Sequence, residues 1–425
     1  MNAETLASPT AATTEWTSAQ RWWQLAAGLI CMMAISSPQY VWTLFTKPMM
    51  AAYGVQLSTL QITFSILIVL QTFFSPFQGW LVERFGPRLL ISVGVLLTGL
   101  GWVLASQVGG VMGIYLTYGL LGGLGTGIVY IGIVGLMMRW FPDRRGFAVG
   151  MVAAGYGMGA LVTTIPISAS MAESGFQHTL IIYGLGLAVV GFIAAQFLRN
   201  PPSELVSMSA KDSEADGVGP GAMVKTPIFW LMFVMMTMMS TSGLMVTSQM
   251  AAFAKDFGIG SMVIWGMAAI PLALTIDRFC NGLTRPFFGF VSDRIGRENT
   301  MFLAFSLEAV AMTLWLATHD NVVLFVLLSG LVFFGWGEIF SLFPSTLTDT
   351  FGARHATTNY GCLYISQGIG SILGGPLAAL LREQTGSWTP VFSLAIGADV
   401  ATALLAIFVL KAMRKRYLKV HAPVA

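Results

Sequence analysis

Between Thr275 and Arg297 the chain reads TIDRFCNGLTRPFFGFVSDRIGR, and Asp277, Arg278 and Arg285 fall inside a run otherwise apolar enough to lie in a membrane. A charge at bilayer depth costs roughly 2.5–3.5 kcal/mol on insertion scales, so such a residue usually faces a protein-lined cavity and marks a substrate or ion path. Arg278 and Arg285 are seven residues apart. At about 100° per residue they share one helix face, with Asn281 and Gly282 between them. That half of the stretch reads as an anion site. The other half ends in Gly289-x-x-x-Asp293-Arg294-x-Gly296-Arg297, a compact charged turn that reads as a hinge where the span meets water.

The elements that position these residues follow from composition. The chain has 425 residues, 55% hydrophobic and only 10% charged. So few charges exclude a soluble domain of this size and indicate a polytopic, all-α membrane protein. At ~20 residues per span plus short loops, the length leaves room for about twelve transmembrane helices. Apolar runs near 147–170, 179–198 and 263–291 are among those expected to span. The polar start lacks the pattern of a signal peptide, so the first span is expected to stay in place. Cys31, Cys280 and Cys362 lie in apolar runs without disulfide or metal spacing and read as small packing residues. A segment containing PPSE, KDSEAD and GVGPG reads as a flexible linker. The expected layout is a tail 1–21, a six-helix bundle 22–198, a linker 199–226, a second six-helix bundle 227–412 and a tail 413–425.

The bundles repeat each other. Gly79-x-x-x-Glu83-Arg84-x-Gly86 returns as Gly289-x-x-x-Asp293-Arg294-x-Gly296, offset by 210 at every position, and the same offset takes Gly127 to Gly337, Phe141 to Phe351 and Arg144 to Arg354. Parallel repeats of this kind build transporters with the site between the halves. Orientation follows from the cations. Of 22 Lys and Arg, Lys47, Lys255 and Arg382 fall on one side, Arg278 and Arg285 in the membrane, and the other seventeen on the side of the termini. Both termini are therefore expected in the cytoplasm.

The paired turns (Gly79, Glu83, Arg84, Gly86 with Arg88 following, and Gly289, Asp293, Arg294, Gly296, Arg297) resemble the signature loops of the major facilitator superfamily. The first Gly permits close helix approach, and the carboxylate can cap a helix or pair with Arg in one conformation only. Charged loops that merely anchor topology are the plainer alternative. Further stretches resemble the oxalate–formate antiporter and monocarboxylate transporter branch. They are Pro38 to Leu44, Gly127 to Tyr130, Arg139 to Gly146, Ala154 to Gly157, Arg285 to Gly289, Trp336-Gly337, Leu342 to Thr346 and Asn359 to Gly361.

That resemblance implies a site. In this branch an arginine just before Pro-x-x-Gly binds the substrate, and Arg285 occupies its position. Arg suits the task because its planar fork binds a carboxylate bidentately and stays charged. The oxalate carrier's pattern has a second cation where this chain has Gln367. A dianion facing one arginine is under-neutralised, whereas a monocarboxylate needs one cation plus neutral donors such as Gln367, Asn281 and Gln39. Tyr40, Tyr130, Tyr156, Trp336, Phe340 and Tyr364 match the aromatic cage of the family. Lys47 matches a functional lysine of monocarboxylate transporters, or is an interfacial snorkelling lysine. Arg278 is a relay or a second cation. Asp277 neutralises Arg278 or carries a coupled proton, and Glu338 is a proton site or an Arg partner. Glu308 and Asp399 also lie at membrane depth, with interhelical pairing as their one evident role. The GGLGTG run follows no strand and is not a nucleotide loop.

These readings predict a multi-pass carrier in the cell membrane, with the major facilitator fold. It would move small organic anions, foremost lactate, pyruvate and formate, by alternating access with proton symport or anion exchange. An oxalate–formate antiporter is the alternative within the class and a drug–proton antiporter the one outside it. Membrane arginines disfavour the latter's cations. No nucleophile–base or metal constellation indicates an enzyme, and no cofactor, metal or nucleic-acid partner is expected.

Overall fold

The computed structural model describes residues 10–202 and 217–420. In lipid every backbone polar group must be satisfied within the protein, and helices do this alone. The first half runs α1 (Thr10–Ala34), α2 (Ser37–Tyr40), α3 (Trp42–Tyr53), α4 (Leu57–Thr72), α5 (Ser75–Phe85), α6 (Pro87–Ala105), α7 (Val111–Ile114), a π-helical stretch (Tyr115–Leu121), α8 (Gly122–Trp140) and α9 (Arg145–Gln196). The second runs α10 (Pro220–Met223), α11 (Pro227–Asp256), a β-hairpin, α12 (Ala269–Ile295), α13 (Arg297–Ala317), α14 (Val322–Trp336), α15 (Ile339–Phe351), α16 (Ala356–Ile372), a π-helical stretch (Leu373–Leu377), α17 (Ala378–Thr385) and α18 (Thr389–Leu404). It closes with a further π-helical stretch (Leu405–Leu410) and α19 (Lys411–Val420).

Among the described residues, eight helices are long and apolar enough to cross a membrane, or ten when two bent pairs each count as one span. The expected spans at 147–170 and 179–198 are two helical segments within α9, divided at Gly175, whose backbone is non-helical (φ 79°, ψ 169°). The charged α12 is not among those ten, although it is 27 residues long. Large side chains such as Ile165, Leu185, Leu394 and Phe408 stand on the outside of the bundle, a surface suited to lipid rather than water.

Two expectations are corrected. The run 263–291 is not all helix. Val263–Ile264 and Met267–Ala268 pair as an antiparallel hairpin (β1 and β2), turned at Trp265 and Gly266 with φ 51° and 78°, and α12 starts only at Ala269. The linker 199–226, partly outside the described residues, is anchored at its C-terminal end. Val218 donates its N–H to the Phe351 carbonyl (2.7 Å), Asn359 donates to the Val218 carbonyl (2.9 Å), and Met223 is fully buried. The apolar Val218 and Met223, near the end of this stretch, supply the reason.

Breaks in the helices fix the geometry of the centre. The first span bends by 43° between its segments 19–40 and 42–53, and α4 and α5 meet at 51°. Pro76 lies at the second bend, where it removes a backbone donor and clashes with the preceding turn, and Pro38 opens α2 three residues before the first. A third interruption separates α14 from α15 at Gly337–Glu338. Small residues bring the halves together. A Cβ on Gly79 would lie 2.8 Å from the Thr357 carbonyl oxygen, one on Gly150 would overlap the Arg285 main chain, and one on Gly289 would overlap the Gly146 carbonyl.

Candidate functional site

At the bends and between the halves lies a cavity of about 140 Å³. Drug-sized pockets start near ~300 Å³, so this one suits a ligand of a few heavy atoms. All ten expected binding residues line it: Gln39 and Tyr40 from α2, Tyr130 from α8, Tyr156 from α9, Asn281 and Arg285 from α12, Trp336 and Phe340 on either side of the α14–α15 break, and Tyr364 and Gln367 from α16.

Arg285 is the buried cation of the cavity, only 2% exposed. Its Nη1 donates to the Ala153 carbonyl of the other half (2.6 Å), while Nε and Nη2 donate to Asn281 Oδ1 (3.1 and 2.7 Å). Its guanidinium carbon stands 4.5 Å from the centre of the Phe340 ring. Every one of these partners is neutral, and among the described residues Arg285 forms no ion pair. A guanidinium in this setting keeps an unmet demand for negative charge.

The aromatic residues build the walls. Tyr130 stacks on Tyr364 (5.0 Å between centroids, 23°) and meets Tyr156 edge-on at 5.1 Å. Tyr156 in turn meets Tyr40 at 5.5 Å. Gln71 donates to the Tyr156 hydroxyl (3.1 Å), which donates to Gln39 Oε1 (2.5 Å). That chain orients Gln39 so that its amide nitrogen is left for a ligand. Trp336 donates its indole N–H to the Met239 carbonyl (2.8 Å), which fixes the ring.

Asp277 and Arg278 also line the cavity. Arg278 stands 5.8 Å from the centre of the Tyr40 ring, and Asp277 is buried with neither oxygen hydrogen-bonded. Glu338 and Lys47 are not brought to the cavity lining. Glu338 is fully buried behind it, and Lys47 is exposed on α3. Gly157, Leu244, Thr247, Leu274 and Phe333 complete the lining without having been singled out. Phe333, one turn before Trp336, was open to inference; Leu244 and Thr247 carry no charge and no motif.

Both paired turns lie at the end of the bundle that carries α19. Asp293 accepts the N–H groups of Gly146 (3.0 Å) and Phe147 (2.9 Å) at the start of α9, and accepts from Arg297 Nη1 (2.6 Å). Glu83 does the same in mirror fashion, accepting the N–H (3.0 Å) and hydroxyl (2.6 Å) of Thr358 in the first turn of α16. Each carboxylate thus sits at the positive end of a helix in the opposite half. Asp349 accepts from Arg297 Nε (2.8 Å) and from Arg145 of the other half, and Arg414 lies 3.9 Å away. Gly86 and Gly296 turn the chain at φ 89° and 92°, while Arg84 and Arg294 lie over Trp80 and Phe290 at 5.1 and 4.0 Å. Arg88 is exposed.

The sequence model of the Major Facilitator Superfamily matches residues 25–279 and 267–422. The chain belongs to this superfamily. The "Oxalate:formate antiporter" of Oxalobacter formigenes is 33% identical over 399 residues, 92% of each chain. The "Uncharacterized MFS-type transporter YhjX" of Escherichia coli (strain K12) is 28% identical over 83% of this chain and 86% of its own. "Monocarboxylate transporter 13" of Bos taurus is 25% identical over 78% and 75%. Among solved structures, the proton:xylose symporter XylE matches with a TM-score of 0.69 over 93% of this chain and 99% of that one, at 13% identity, and FucP in its outward conformation with 0.66 over 92% and 98%, at 14%. These last two likenesses establish the fold. The protein is a multi-pass transporter of this superfamily, and its relatives are carriers rather than enzymes.

Proposed function

We propose that this protein is a secondary carrier of small monocarboxylates such as lactate, pyruvate and formate. Its two six-helix halves, twelve spans in all, would rock about the central cavity, with both termini in the cytoplasm of a cell-membrane protein. The observation that carries the reading is Arg285, a buried guanidinium facing a small cavity with only neutral acceptors around it. A carboxylate supplies the missing charge, and Gln39, Asn281 and Gln367 supply neutral hydrogen bonds. Arg278 on the cavity lining attracts the anion, and Asp277 beside it offsets part of the Arg278 charge. Two arginines on the lining disfavour organic cations, and with them a drug–proton antiporter.

The 33% identity to an oxalate:formate antiporter favours a second reading, exchange of oxalate for formate. Gln367 weighs against it, because a dianion would face Arg285 with a neutral amide in place of a second cation. Uptake of labelled formate, lactate, pyruvate and oxalate into proteoliposomes separates the two. Carriage of the first three with little oxalate supports the monocarboxylate reading, dominant oxalate exchange supports the other, and transport of none of them contradicts both.

A further inference from the structure

Away from the cavity lining, three carboxyls are buried in the second half. Glu308 on α13, Asp399 on α18 and Glu338 at the α14–α15 break are all 0% exposed. Ser242 on α11 lies between the first two, with its hydroxyl oxygen 3.1 Å from Asp399 Oδ2 and 3.4 Å from Glu308 Oε1. A serine hydroxyl has one proton to donate. It can therefore satisfy one of these carboxyls as an acceptor, and the other contact becomes a hydrogen bond only if that carboxyl is itself protonated and donates to the Ser242 oxygen. The geometry thus calls for a proton between Glu308 and Asp399. Both oxygens of Glu338 are buried without a hydrogen-bond partner, and among the described residues none of the three acids forms an ion pair. Unpaired carboxylates in such a place are prohibitively costly unless protons neutralise them.

These acids are coupled to the cavity through α14 and its break. Gly335 packs against Glu308, where a Cβ would lie 2.7 Å from the Glu308 Cβ, and a Cβ on Gly337 would lie 2.8 Å from the Asn281 carbonyl oxygen of α12. Glu338 follows directly and is in electrostatic reach of Glu308, Asp399 and Arg285. Trp336, wedged against Gly243 next to Ser242, forms the wall between acids and ligand. The charged groups acting on the three carboxyls from neighbouring helices are therefore Arg285 from α12 and the acids themselves. Asp277 and Arg278, also on α12, face the cavity instead.

Resting on the carboxylate reading of Arg285, we propose that the Glu308–Asp399 pair and Glu338 hold the proton that travels with the anion, with Glu338 as the link between them. Arg285 requires one negative charge at a time. With an anion in the cavity, Glu338 keeps its proton. When the anion leaves, Glu338 passes its proton on, its O–H bond breaking as one forms on whichever of Glu308 and Asp399 is ionised, and the pair then gives up one proton to water on the side to which the anion goes, so that the protein loses one anion and one proton together. The Glu338 carboxylate then balances Arg285. Anion and proton so cross in a fixed ratio of one to one, and broken helices at a membrane midplane are suited to such ion sites.

The test compares anion counterflow with accumulation driven by a pH gradient in proteoliposomes, for wild type, Glu338→Gln, Glu338→Asp and Asp399→Asn. At one proton per anion, a gradient of one pH unit sustains about tenfold accumulation. The expected result is that Glu338→Gln and Asp399→Asn still exchange labelled pyruvate for unlabelled pyruvate but no longer accumulate it, and that Glu338→Asp restores part of the accumulation. Wild-type exchange without any response to the pH gradient overturns the proton assignment and leaves the anion reading intact. Unaltered accumulation in Glu338→Gln overturns it as well. So does loss of exchange in a Glu338→Gln protein that remains monodisperse and still binds pyruvate, because the acid would then serve the conformational change itself. Absence of both activities and of pyruvate binding in wild type instead removes the anion reading beneath it.

Discussion

Arg285 reaches out of its own half to the carbonyl oxygen of Ala153, 2.6 Å away on α9 of the other. The buried cation of the cavity is thus tied to both halves at once. Any motion that separates α9 from α12 changes what surrounds the guanidinium, so binding and conformation are linked at one residue. An anion that replaces the Ala153 carbonyl as a partner of Nη1 releases that tie.

The neutral amide at position 367 leads to a specificity prediction. Gln367 shares the cavity with Arg285. Gln367→Lys places an ammonium there, and the variant should gain oxalate exchange while losing affinity for pyruvate. Competition of unlabelled oxalate against labelled pyruvate checks this. Unchanged competition would mean that position 367 does not face the ligand's second carboxylate.

Asp349 holds Arg145 from the first half and Arg297 from the second, and both arginine side chains are at most 8% exposed. Asp349→Asn removes the carboxylate that the two arginines share across the halves, while Arg297 keeps Asp293. Removing one member of a buried pair costs about 3–5 kcal/mol, and here the cost falls on the state in which this end is closed. Opening should become at least about tenfold more frequent. A cysteine at Thr357, which is fully buried beside Gly79, reports it. Thiol labelling of that cysteine should accelerate in Asp349→Asn, and equal rates would show that the cluster does not govern the closed state.

The opposite end carries a smaller clasp. Trp388 donates its indole N–H to Asp256 Oδ2 (2.7 Å), and Arg382 donates to the same oxygen from Nη2 (2.7 Å). The Trp388 hydrogen bond, with the Arg382 charge beside it, holds the Asp256 carboxyl below its usual range. A carboxyl depressed in the folded state contributes stability above its unfolded value of about 3.9, and that contribution is lost as pH falls through the folded value. The melting temperatures of wild type and Asp256→Asn should therefore differ most near neutrality and converge in acid. A gap that widens below pH ~4 contradicts the assignment.

Much of this was legible in residue types. Arg285 stood out because a charge in an apolar run needs a reason, and the offset of 210 between Glu83 and Asp293 exposed the repeat. What spacing could not convey was which helices touch. Glu308 and Asp399 lie 91 residues apart, and only the packing of α13 and α18 around Ser242 makes them a pair. The docking of Val218 and Met223 was hidden for another reason: apolar residues scattered through a segment rich in Gly, Pro and charge carry too little periodicity to signal burial. Lys47 matched a position in relatives, yet its long side chain stays on the exposed face of α3.

Ligand-dependent thermal stabilisation of purified wild type and Arg285→Gln, titrated with pyruvate, lactate and formate, tests the central claim most directly. A ligand that binds only the folded state adds about 2.7 kcal/mol at a hundred times its Kd. The account predicts a saturable rise in Tm for wild type and none for Arg285→Gln at the same concentrations, with both proteins folding alike without ligand. An equal rise in the two proteins would contradict it, because the anion would then be held elsewhere than at Arg285.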